Sequence, residues 1–323
     1  MSDLTQQELD TAKNVIGNLI SNIEIELIGQ TEVVEQVIVS FLAGGHVLLE
    51  GVPGLGKTLL VRLLANSISL DYKRVQFTPD LMPADVTGHS IVNMKTGEFN
   101  VKKGPVFTNL LLADEINRAP AKTQAALLEV MQEQQVTIDG QAHSVGRPFM
   151  VLATQNPIDN EGTYPLPEAE LDRFMMKVVI GYPSAESEIL LTQQISASAA
   201  GSEQAKVSEV IDAQTLDSMR EMVKKVTVDP LLVQYAVNIV RTTREWQGIS
   251  HGAGVRASIA LIQAAKVAAL IEGIGFVTPD HIKKMMYCVL RHRVSLSAER
   301  EIAGVSIDNV LSELCESVEV PRQ

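Results

Sequence analysis

One short segment constrains the fold of this chain more than any other. Residues 51–58 read Gly-Val-Pro-Gly-Leu-Gly-Lys-Thr, which matches the phosphate-binding loop pattern G-x-x-x-x-G-K-[ST]. Its context fits as well, because an apolar strand candidate at residues 46–50 precedes it and a helical pattern runs from residue 57 to about residue 70. A strand, a glycine-rich turn and a helix in this order predict an α/β sheet with an anion-binding loop at its edge.

The loop also predicts how its residues contribute to binding. Glycines let backbone N–H groups turn towards phosphate oxygens, and the following helix adds the positive end of its dipole. Lys57 can reach the β- and γ-phosphates of a nucleotide, and the Thr58 hydroxyl can ligate Mg²⁺. The nucleotide-binding residues predicted in this segment are Gly51, Val52, Pro53, Gly54, Leu55, Gly56, Lys57, Thr58 and Leu59.

An acidic pair narrows the chemistry. Residues 110–113 form an apolar strand candidate that ends in Asp114-Glu115. At such a strand end, Asp114 can lie beside the metal ion, while Glu115 can polarise a water molecule for in-line attack on the γ-phosphate. Carboxylates also favour helix N-termini for electrostatic reasons alone. In combination with the phosphate-binding loop, the pair favours nucleotide hydrolysis.

The order of apolar runs predicts the fold class. Runs at residues 46–50, 74–78, 110–113, 149–154 and 176–180 alternate with helical patterns. This alternation predicts an α/β fold with a parallel sheet covered on both faces. Beyond Gly181 the patterns are helical, with a helix start at Thr278-Pro279 and a loop predicted at residues 200–206. We therefore expect an α/β nucleotide-binding domain at residues 1–181 and a smaller all-helical domain at residues 182–323.

Two candidate β-hairpins interrupt the alternation. Residues 90–94 and 98–101 flank a Lys-Thr-Gly turn, and residues 135–138 and 141–145 flank an Asp-Gly turn. A hairpin attached to a parallel sheet does not extend the core of that sheet. Each hairpin is therefore either a surface decoration or an interaction element.

Composition excludes several classes of function. The 323 residues include 27 Lys and Arg against 39 Asp and Glu, a net charge of −12, which argues against general nucleic-acid binding. Cys288 and Cys315 give neither a disulfide framework nor a metal-ligand spacing, so we expect buried thiols in a reducing compartment. No secretory signal or membrane span is evident in the sequence, so we expect a cytoplasmic protein.

Three further residues give weaker signals of function. Asn156 follows the strand candidate at residues 149–154, where its amide could hold the attacking water or the γ-phosphate, although Asn-Pro is also a simple turn. Arg173 could do no more than pair with the neighbouring Asp172 or Glu170. Arg256 begins a helix in the second domain and, taken alone, is typical of a surface arginine.

Taken in order, these motifs resemble those of AAA+ ATPases, and nearly the whole chain resembles the MoxR family within that superfamily. Several of the shared motifs are long and specific. They are residues 28–30 (Ile-Gly-Gln), 51–58, 77–88 (Phe-Thr-Pro-Asp-Leu-Met-Pro-Ala-Asp-Val-Thr-Gly), 114–120 (Asp-Glu-Ile-Asn-Arg-Ala-Pro), 153–157 (Ala-Thr-Gln-Asn-Pro) and 167–174 (Pro-Glu-Ala-Glu-Leu-Asp-Arg-Phe).

The resemblance implies roles for the weaker candidates. Asn156 would be the sensor-1 residue, Arg173 an arginine finger that reaches the γ-phosphate of a neighbouring subunit, and Arg256 the sensor-2 arginine of a helical lid. Gln30 would lie near the adenine, and the two hairpins would be the helix-2 insert and the hairpin preceding sensor 1. The family often has Ser-Pro before the sensor-2 arginine, where this chain has Gly254-Val255 and so lacks the fixed φ of proline.

The resemblance also implies an ATP-driven, chaperone-like remodeller. Such a protein would bind ATP and Mg²⁺, form a homo-oligomer, expected to be a hexameric ring, and hydrolyse ATP where an arginine supplied in trans completes the site. Partners with a von Willebrand factor A domain are implied, as are client proteins that undergo metal-cofactor insertion or maturation.

Three alternatives stay open from the sequence. They are a magnesium-chelatase-like ATPase subunit, a scaffold that binds ATP with little turnover, and a small-molecule phosphotransferase. Glu115 and Arg173 argue against the scaffold, because a pure nucleotide switch needs neither residue. The Asp114-Glu115 pair and the long helical second domain argue against the phosphotransferase.

Overall fold

The computed structural model describes residues 4–95, 97–156, 162–198 and 210–321. The predicted loop at residues 200–206 and the proline at position 157 lie outside these ranges. Up to the last strand of the main sheet, the elements are α1 (Gln6–Glu24), α2 (Thr31–Leu42), β1 (Val47–Gly51), α3 (Lys57–Ser67), β2 (Tyr72–Gln76), α4 (Pro83–Thr87), β3 (Gly88–Val92), β4 (Phe99–Lys103), β5 (Leu110–Asp114), a 3₁₀ turn (Ile116–Arg118), α5 (Ala121–Glu133), β6 (Gln135–Ile138), β7 (Gln141–Ser144), β8 (Met150–Gln155), α6 (Glu168–Leu171) and β9 (Met176–Ile180). They are followed by α7 (Ala185–Ser198), α8 (Ala213–Lys225), α9 (Pro230–Thr242), β10 (Ile249–His251), α10 (Val255–Glu272), α11 (Pro279–Leu290), β11 (Ser295–Leu296), α12 (Ala298–Ile302) and α13 (Ile307–Ser317).

Five strands form one parallel sheet in the order β2-β5-β8-β1-β9. All five predicted strands are present, and the predicted parallel α/β fold is confirmed. Because the strands are parallel, Gly51, Asp114 and Gln155 meet at the carboxyl edge of the sheet. Ligands of open α/β sheets bind outside the carboxyl ends of the strands, so this edge is the place to look for a site.

Two hydrophobic clusters lie on opposite faces of the sheet. Leu110 and Leu112 belong to one cluster and Leu111 and Ala113 to the other, as the alternating faces of a strand require. The first cluster also contains residues of α1, α2, α3 and the helices after residue 210. The second is closed mainly by α5 and by the segment around Phe77. One face of the sheet therefore shares a continuous core with the C-terminal helices.

Both predicted hairpins are confirmed, but they differ in their packing. The β6–β7 hairpin buries Val136 and Ile138 in the second hydrophobic cluster. The β3–β4 hairpin instead exposes apolar side chains, with Met94 94% and Phe99 73% exposed. Of the two hairpins, β3–β4 is thus the one that exposes large apolar side chains.

The region after β9 is largely helical, as predicted. α11 begins at Pro279 with Thr278 as its N-cap, which the Thr-Pro pair indicated. The two-stranded antiparallel sheet of β10 and β11 was not predicted, because strands of three and two residues leave no readable alternation. The domain division at residue 181 stays a prediction.

The two cysteines and the lengths of the helices can be compared with the expectations of free thiols and of no membrane span. Cys288 and Cys315 are buried free thiols, as predicted. Among the described residues, every helix is too short or too polar to cross a lipid bilayer.

Candidate functional site

The phosphate-binding loop joins β1 to α3 at the carboxyl edge of the sheet. Gly54 and Gly56 have φ values of +88° and +81°, and a Cβ atom on Gly56 would lie 2.9 Å from Leu27 Cδ1. The Leu60 amide donates to the Gly56 carbonyl, so the amides of residues 57–59 precede the hydrogen-bonded ladder of α3. Unpaired amides at a helix N-terminus favour an anion.

Lys57 connects the loop to the ends of two strands. Its Nζ atom donates to the Gly51 carbonyl at 2.6 Å and to the Gln155 carbonyl at 3.4 Å. Burial lowers the pKa of Lys57, and the nearby carboxylates of Asp114 and Glu115 oppose that effect. The ammonium group thus lies between the loop and the acidic pair, where a phosphate group would meet it.

Asp114 is held by donors from both neighbouring strands. Thr154 Oγ1 on β8 donates to Asp114 Oδ1 at 2.6 Å. On the other side, Arg74 of β2 donates to Asp114 Oδ2 from Nη2 at 2.6 Å and from Nε at 3.1 Å. These contacts fix the carboxylate at the end of β5.

Glu115 is also fixed on both sides. Its backbone has φ of +55°, which is uncommon for a residue other than glycine, and its amide donates to Thr154 Oγ1 at 2.8 Å. The Glu115 Oε2 atom accepts from Gln76 Nε2 at 2.8 Å and lies 3.1 Å from Arg118 Nε. Both contacts are made to the same carboxylate oxygen, Oε2.

Sequence reasoning missed three residues of this arrangement: Arg74, Gln76 and Thr154. Thr154 carried a usable signal, since it is a hydroxyl residue that directly follows four apolar residues of its strand, at positions 150–153. Arg74 and Gln76 carried none, because only the register that pairs Gln76 with Asp114 brings their side chains to the acidic pair.

Two predicted residues lie close to this edge. Asn156 is 7% exposed and directly follows the last residue of β8. Gln30, at the N-cap position of α2, donates from Nε2 to the Leu55 carbonyl of the phosphate-binding loop at 3.3 Å. The buried Gln30 Oε1 atom has no partner among the described residues. That acceptor fits an amino group such as the one adenine carries.

Arg173 and Arg256 lie elsewhere. Arg173 precedes β9 at the amino edge of the sheet, where the Met175 amide donates to the His46 carbonyl. The four residue steps from Met176 to Ile180 alone span about 13 Å, so Arg173 is separated from the phosphate-binding loop of its own chain. Arg256 is also on this side, since its Nη1 atom lies 3.7 Å from Asp172 Oδ2.

The local alternative for Arg173 finds no support in the contacts. Among the described residues, no ion pair joins Arg173 to Asp172 or Glu170. Asp172 is instead paired with Arg293, whose Nε atom donates to Asp172 Oδ1 at 2.7 Å. Arg293, a buried arginine just after α11, was another residue that sequence reasoning missed.

Two stretches of the chain match known families. Residues 46–176 match a family described as ATPase family associated with various cellular activities (AAA). Residues 241–314 match an AAA lid domain. The first match contains the strands β1, β2, β5 and β8 of the sheet and the acidic pair, and the second contains Arg256 and Arg293.

Similar proteins extend over nearly the whole chain. Chaperone MoxR1 of Mycobacterium tuberculosis is 40% identical over 307 residues, which cover 92% of this chain and 80% of that protein. The uncharacterized protein YeaC of Bacillus subtilis is 43% identical, with 96% of each chain covered. A crystal structure of a candidate ATPase from Cytophaga hutchinsonii has a TM-score of 0.89 and 40% identity, with 98% of each chain covered. Given this similarity, and a sheet edge that brings the phosphate-binding loop to the acidic pair, the chain belongs to the MoxR family of AAA+ ATPases.

Proposed function

We propose that this ATPase binds Mg²⁺–ATP at the carboxyl edge of the sheet, hydrolyses it in a ring of identical subunits and so remodels partner proteins. The convergence of Lys57, Asp114 and Glu115 beside the phosphate-binding loop carries the proposal. In this arrangement one cation faces the incoming phosphates, and two carboxylates lie beside it.

The residues present fit ATP. Within the described part of the chain, the amides of residues 57–59 precede the hydrogen-bonded ladder of α3 and the Lys57 ammonium donates to two carbonyls, so the loop presents several donors to a triphosphate. The unpartnered Gln30 Oε1 atom fits the adenine amino group. Thus Gly51 to Leu59 would bind the phosphates, and Gln30 would contribute to recognition of the base.

The residues also fit Mg²⁺, which prefers oxygen ligands and retains several water molecules. The Thr58 hydroxyl and the Asp114 carboxylate would hold the ion. Bound there, Mg²⁺ neutralises charge on the β- and γ-phosphate oxygens. Because Arg74 and Thr154 already hold both oxygens of Asp114, we expect this carboxylate to act partly through water bound to the metal.

Glu115 would activate the attacking water. Gln76 and Arg118 contact Oε2, so Oε1 would be the oxygen that accepts from the water molecule. As the water oxygen bonds to the γ-phosphorus and the bond to the β–γ bridging oxygen breaks, Glu115 accepts a water proton. Asn156, beside the end of β8, would hold the same water or the γ-phosphate through its amide.

Two arginines would reach the site from a neighbouring subunit. Arg173 and Arg256 flank Asp172 at the amino edge, away from the loop of their own chain. A head-to-tail assembly would bring that side against the loop of the next subunit, and such an interface closes into a ring when the rotation allows. Six subunits is the expectation from the family. In this arrangement Arg256 acts in trans together with Arg173, rather than on the nucleotide of its own chain.

The β3–β4 hairpin would contact the client. It exposes Met94 and Phe99 on a chain whose other large apolar side chains mostly lie in the two cores. A relative named chaperone MoxR1 supports a chaperone-like role. The partners that we propose are a protein with a von Willebrand factor A domain and a client that undergoes metal-cofactor insertion or maturation.

The experiment that tests the proposal measures ATP turnover per subunit as a function of protein concentration. We expect the specific rate to rise with concentration, because each site needs a second subunit. Arg173→Ala should remove most of that rate, since a finger supplied in trans contributes about 10³-fold or more. Arg62→Ala is the matched control, because Arg62 is an exposed arginine with only a 3.7 Å ion pair.

Other results would contradict specific parts of the proposal. A rate that is independent of concentration and of Arg173 would indicate a self-contained nucleotidase. Tight ATP binding without turnover at any concentration would favour a nucleotide-dependent scaffold. Glu115→Gln separates binding from turnover, because it should abolish hydrolysis and preserve affinity for ATP.

A further inference from the structure

The segment that carries Arg173 is held by the lid as well as by the sheet. Ser295 Oγ donates to Glu168 Oε1 at 2.6 Å, and His251 Nε2 lies 3.5 Å from Glu168 Oε2. Glu168 begins α6, which leads directly to Arg173. Both partners belong to the small β10–β11 sheet of the lid.

Arg293 makes the largest set of contacts with this segment. Its Nε atom donates to Asp172 Oδ1 at 2.7 Å, and Nη2 donates to the carbonyls of Asp172 at 3.2 Å and Phe174 at 2.6 Å. Its Nη1 atom donates to the Met175 carbonyl at 2.9 Å and, within the lid, to the Val289 carbonyl at 2.5 Å. One guanidinium therefore fixes the backbone on both sides of Arg173.

The burial of Arg293 makes these contacts costly to break. Its side chain is 3% exposed, so a donor that lost its acceptor would find little water to replace it. A lysine could not substitute for it, because an ammonium group lacks the planar fork that reaches several acceptors at once. Arg293 is thus a rigid link between the end of α11 and the segment before β9.

Asp172 is the point where two lid arginines meet. Its Oδ1 atom accepts from Arg293, and its Oδ2 atom faces Arg256 at 3.7 Å. Arg256 is largely exposed, whereas Arg293 is buried. Asp172, which is next to Arg173 in the chain, is therefore paired with one buried, fixed arginine, Arg293. Its second partner, Arg256, is exposed and can move away from it.

We infer that Asp172 and Arg293 are positioning residues that hold Arg173 and Arg256 together as one unit for the neighbouring subunit's ATP site. The inference rests on the proposed trans action of Arg173. Because Arg293 ties this unit to the lid, a shift of the lid moves both arginines relative to the neighbour's γ-phosphate. The position of the lid in one subunit thereby sets hydrolysis in the next.

The main test variant is Asp172→Asn, which keeps the shape of the side chain and removes its charge. Arg293→Lys is the second variant, because it keeps the charge and removes the fork. Asp308→Asn is the matched control, since Asp308 pairs with a neighbouring lid arginine, Arg291, at 2.9 Å but does not contact the Arg173 segment.

We expect turnover at saturating protein concentration to fall at least tenfold in both test variants and less than twofold in the control. Affinity for a fluorescent ATP analogue should stay within twofold of wild type, because the phosphate-binding loop is at the opposite edge.

Mixed rings separate positioning from a structural role. Each variant is assembled with an excess of Glu115→Gln subunits, which cannot hydrolyse ATP but present an intact Arg173 to their neighbours. Asp172→Asn subunits should then recover the turnover that wild-type subunits show in the same mixture, because their own sites are intact. Arg173→Ala subunits should recover in the same way.

The outcomes distinguish this inference from the proposed function. Recovery of Arg173→Ala without recovery of either test variant would overturn the inference, because the defect would then lie in their own site or fold. Full activity of Asp172→Asn and Arg293→Lys alone would overturn it as well. If Arg173→Ala fails to recover, the trans finger itself is refuted and the inference falls with it. A misfolded subunit hydrolyses nothing in either setting, so recovery also excludes misfolding.

Discussion

At the scale of single residues, Thr154 connects the two carboxylates of the site. Its hydroxyl accepts from the Glu115 amide and donates to Asp114 Oδ1, at 2.8 and 2.6 Å. One side chain therefore supports both the unusual backbone of Glu115 and the orientation of Asp114. The sequence next to the acidic pair gives no sign of this hydroxyl, which lies 40 residues further along the chain.

We predict that Thr154→Val, which preserves shape and removes the hydroxyl, lowers ATP turnover at least tenfold. The free energy of unfolding should fall by about 1–3 kcal/mol, because a buried amide and a carboxylate lose a partner. Thr108→Val is the control, since Thr108 is a buried threonine that donates to the Asp71 carbonyl outside the site. Turnover assays and urea unfolding measure both effects. Equal turnover losses in the two variants would contradict a specific role of Thr154.

Two buried histidines predict a pH dependence of stability. The His46 Nδ1 atom accepts from the Val151 amide at 3.0 Å, so this nitrogen must be unprotonated in the fold. Burial lowers the pKa of His46 to about 4. The pKa of His292 is also well below its usual value, through burial and the neighbouring Arg293.

Because both pKa values are lower in the folded state, the unfolded chain binds more protons at mildly acidic pH. The contribution of these neutral histidines is nearly complete above about pH 7 and decreases as the pH falls through 6.5 towards 4, by about 1.4 kcal/mol at pH 5.5 for His46, with a loss of the same sign from His292. Urea unfolding between pH 7.5 and 5.5 measures this slope. We expect His46→Gln to reduce the slope, with the part due to His292 remaining, and His89→Gln, an exposed control, to preserve it. An unchanged slope in His46→Gln would contradict the assignment.

At the scale of elements, the two hairpins show how similar sequence signals lead to different surroundings. Both are predicted from turn residues, Lys-Thr-Gly in one and Asp-Gly in the other, between two short strand candidates, and both are confirmed. Only contact with the rest of the chain decides that β6–β7 packs on the core and β3–β4 does not.

The bounds of strand β2 also depend on the rest of the chain. The strand spans Tyr72–Gln76, whereas the sequence predicts residues 74–78. Pairing with β5 sets those bounds, and Phe77 leaves the strand to enter the second core.

The exposed hairpin predicts a neutral substitution. Phe99→Ser should change the free energy of unfolding by less than about 0.5 kcal/mol, because the side chain already contacts water. Phe77→Ala, at a fully buried phenylalanine, should cost about 3–5 kcal/mol. Urea unfolding of both variants tests the contrast. A large loss in Phe99→Ser would indicate that the hairpin packs against its own chain or against another subunit.

At the scale of the whole molecule, the first hydrophobic cluster joins the lid to one face of the sheet. It extends from Leu9 in α1 through the sheet to Leu314 in α13. The predicted division at residue 181 therefore runs through a shared core. We expect the two regions to unfold together.

The single tryptophan, Trp246, makes this cooperativity measurable. Trp246 packs against the first cluster from the lid, so its fluorescence reports the lid, whereas far-ultraviolet circular dichroism reports the helices of both regions. We predict coincident urea transitions by the two probes. A fluorescence transition at lower urea than the circular dichroism transition would show that the lid unfolds independently.

The sequence alone determined the phosphate-binding loop, the acidic pair, the five strands, both hairpins and the family. These features depend on short spacings and local periodicity, which can be recognised in the sequence without the structure. Only the tertiary structure decided which donors hold the acidic pair and which edge of the sheet carries Arg173 and Arg256. Thr154 is 40 residues from Asp114, and Arg293 is 121 residues from Asp172. Strand register and the packing of the lid bring such partners together, and neither leaves a pattern in the sequence around the residues concerned.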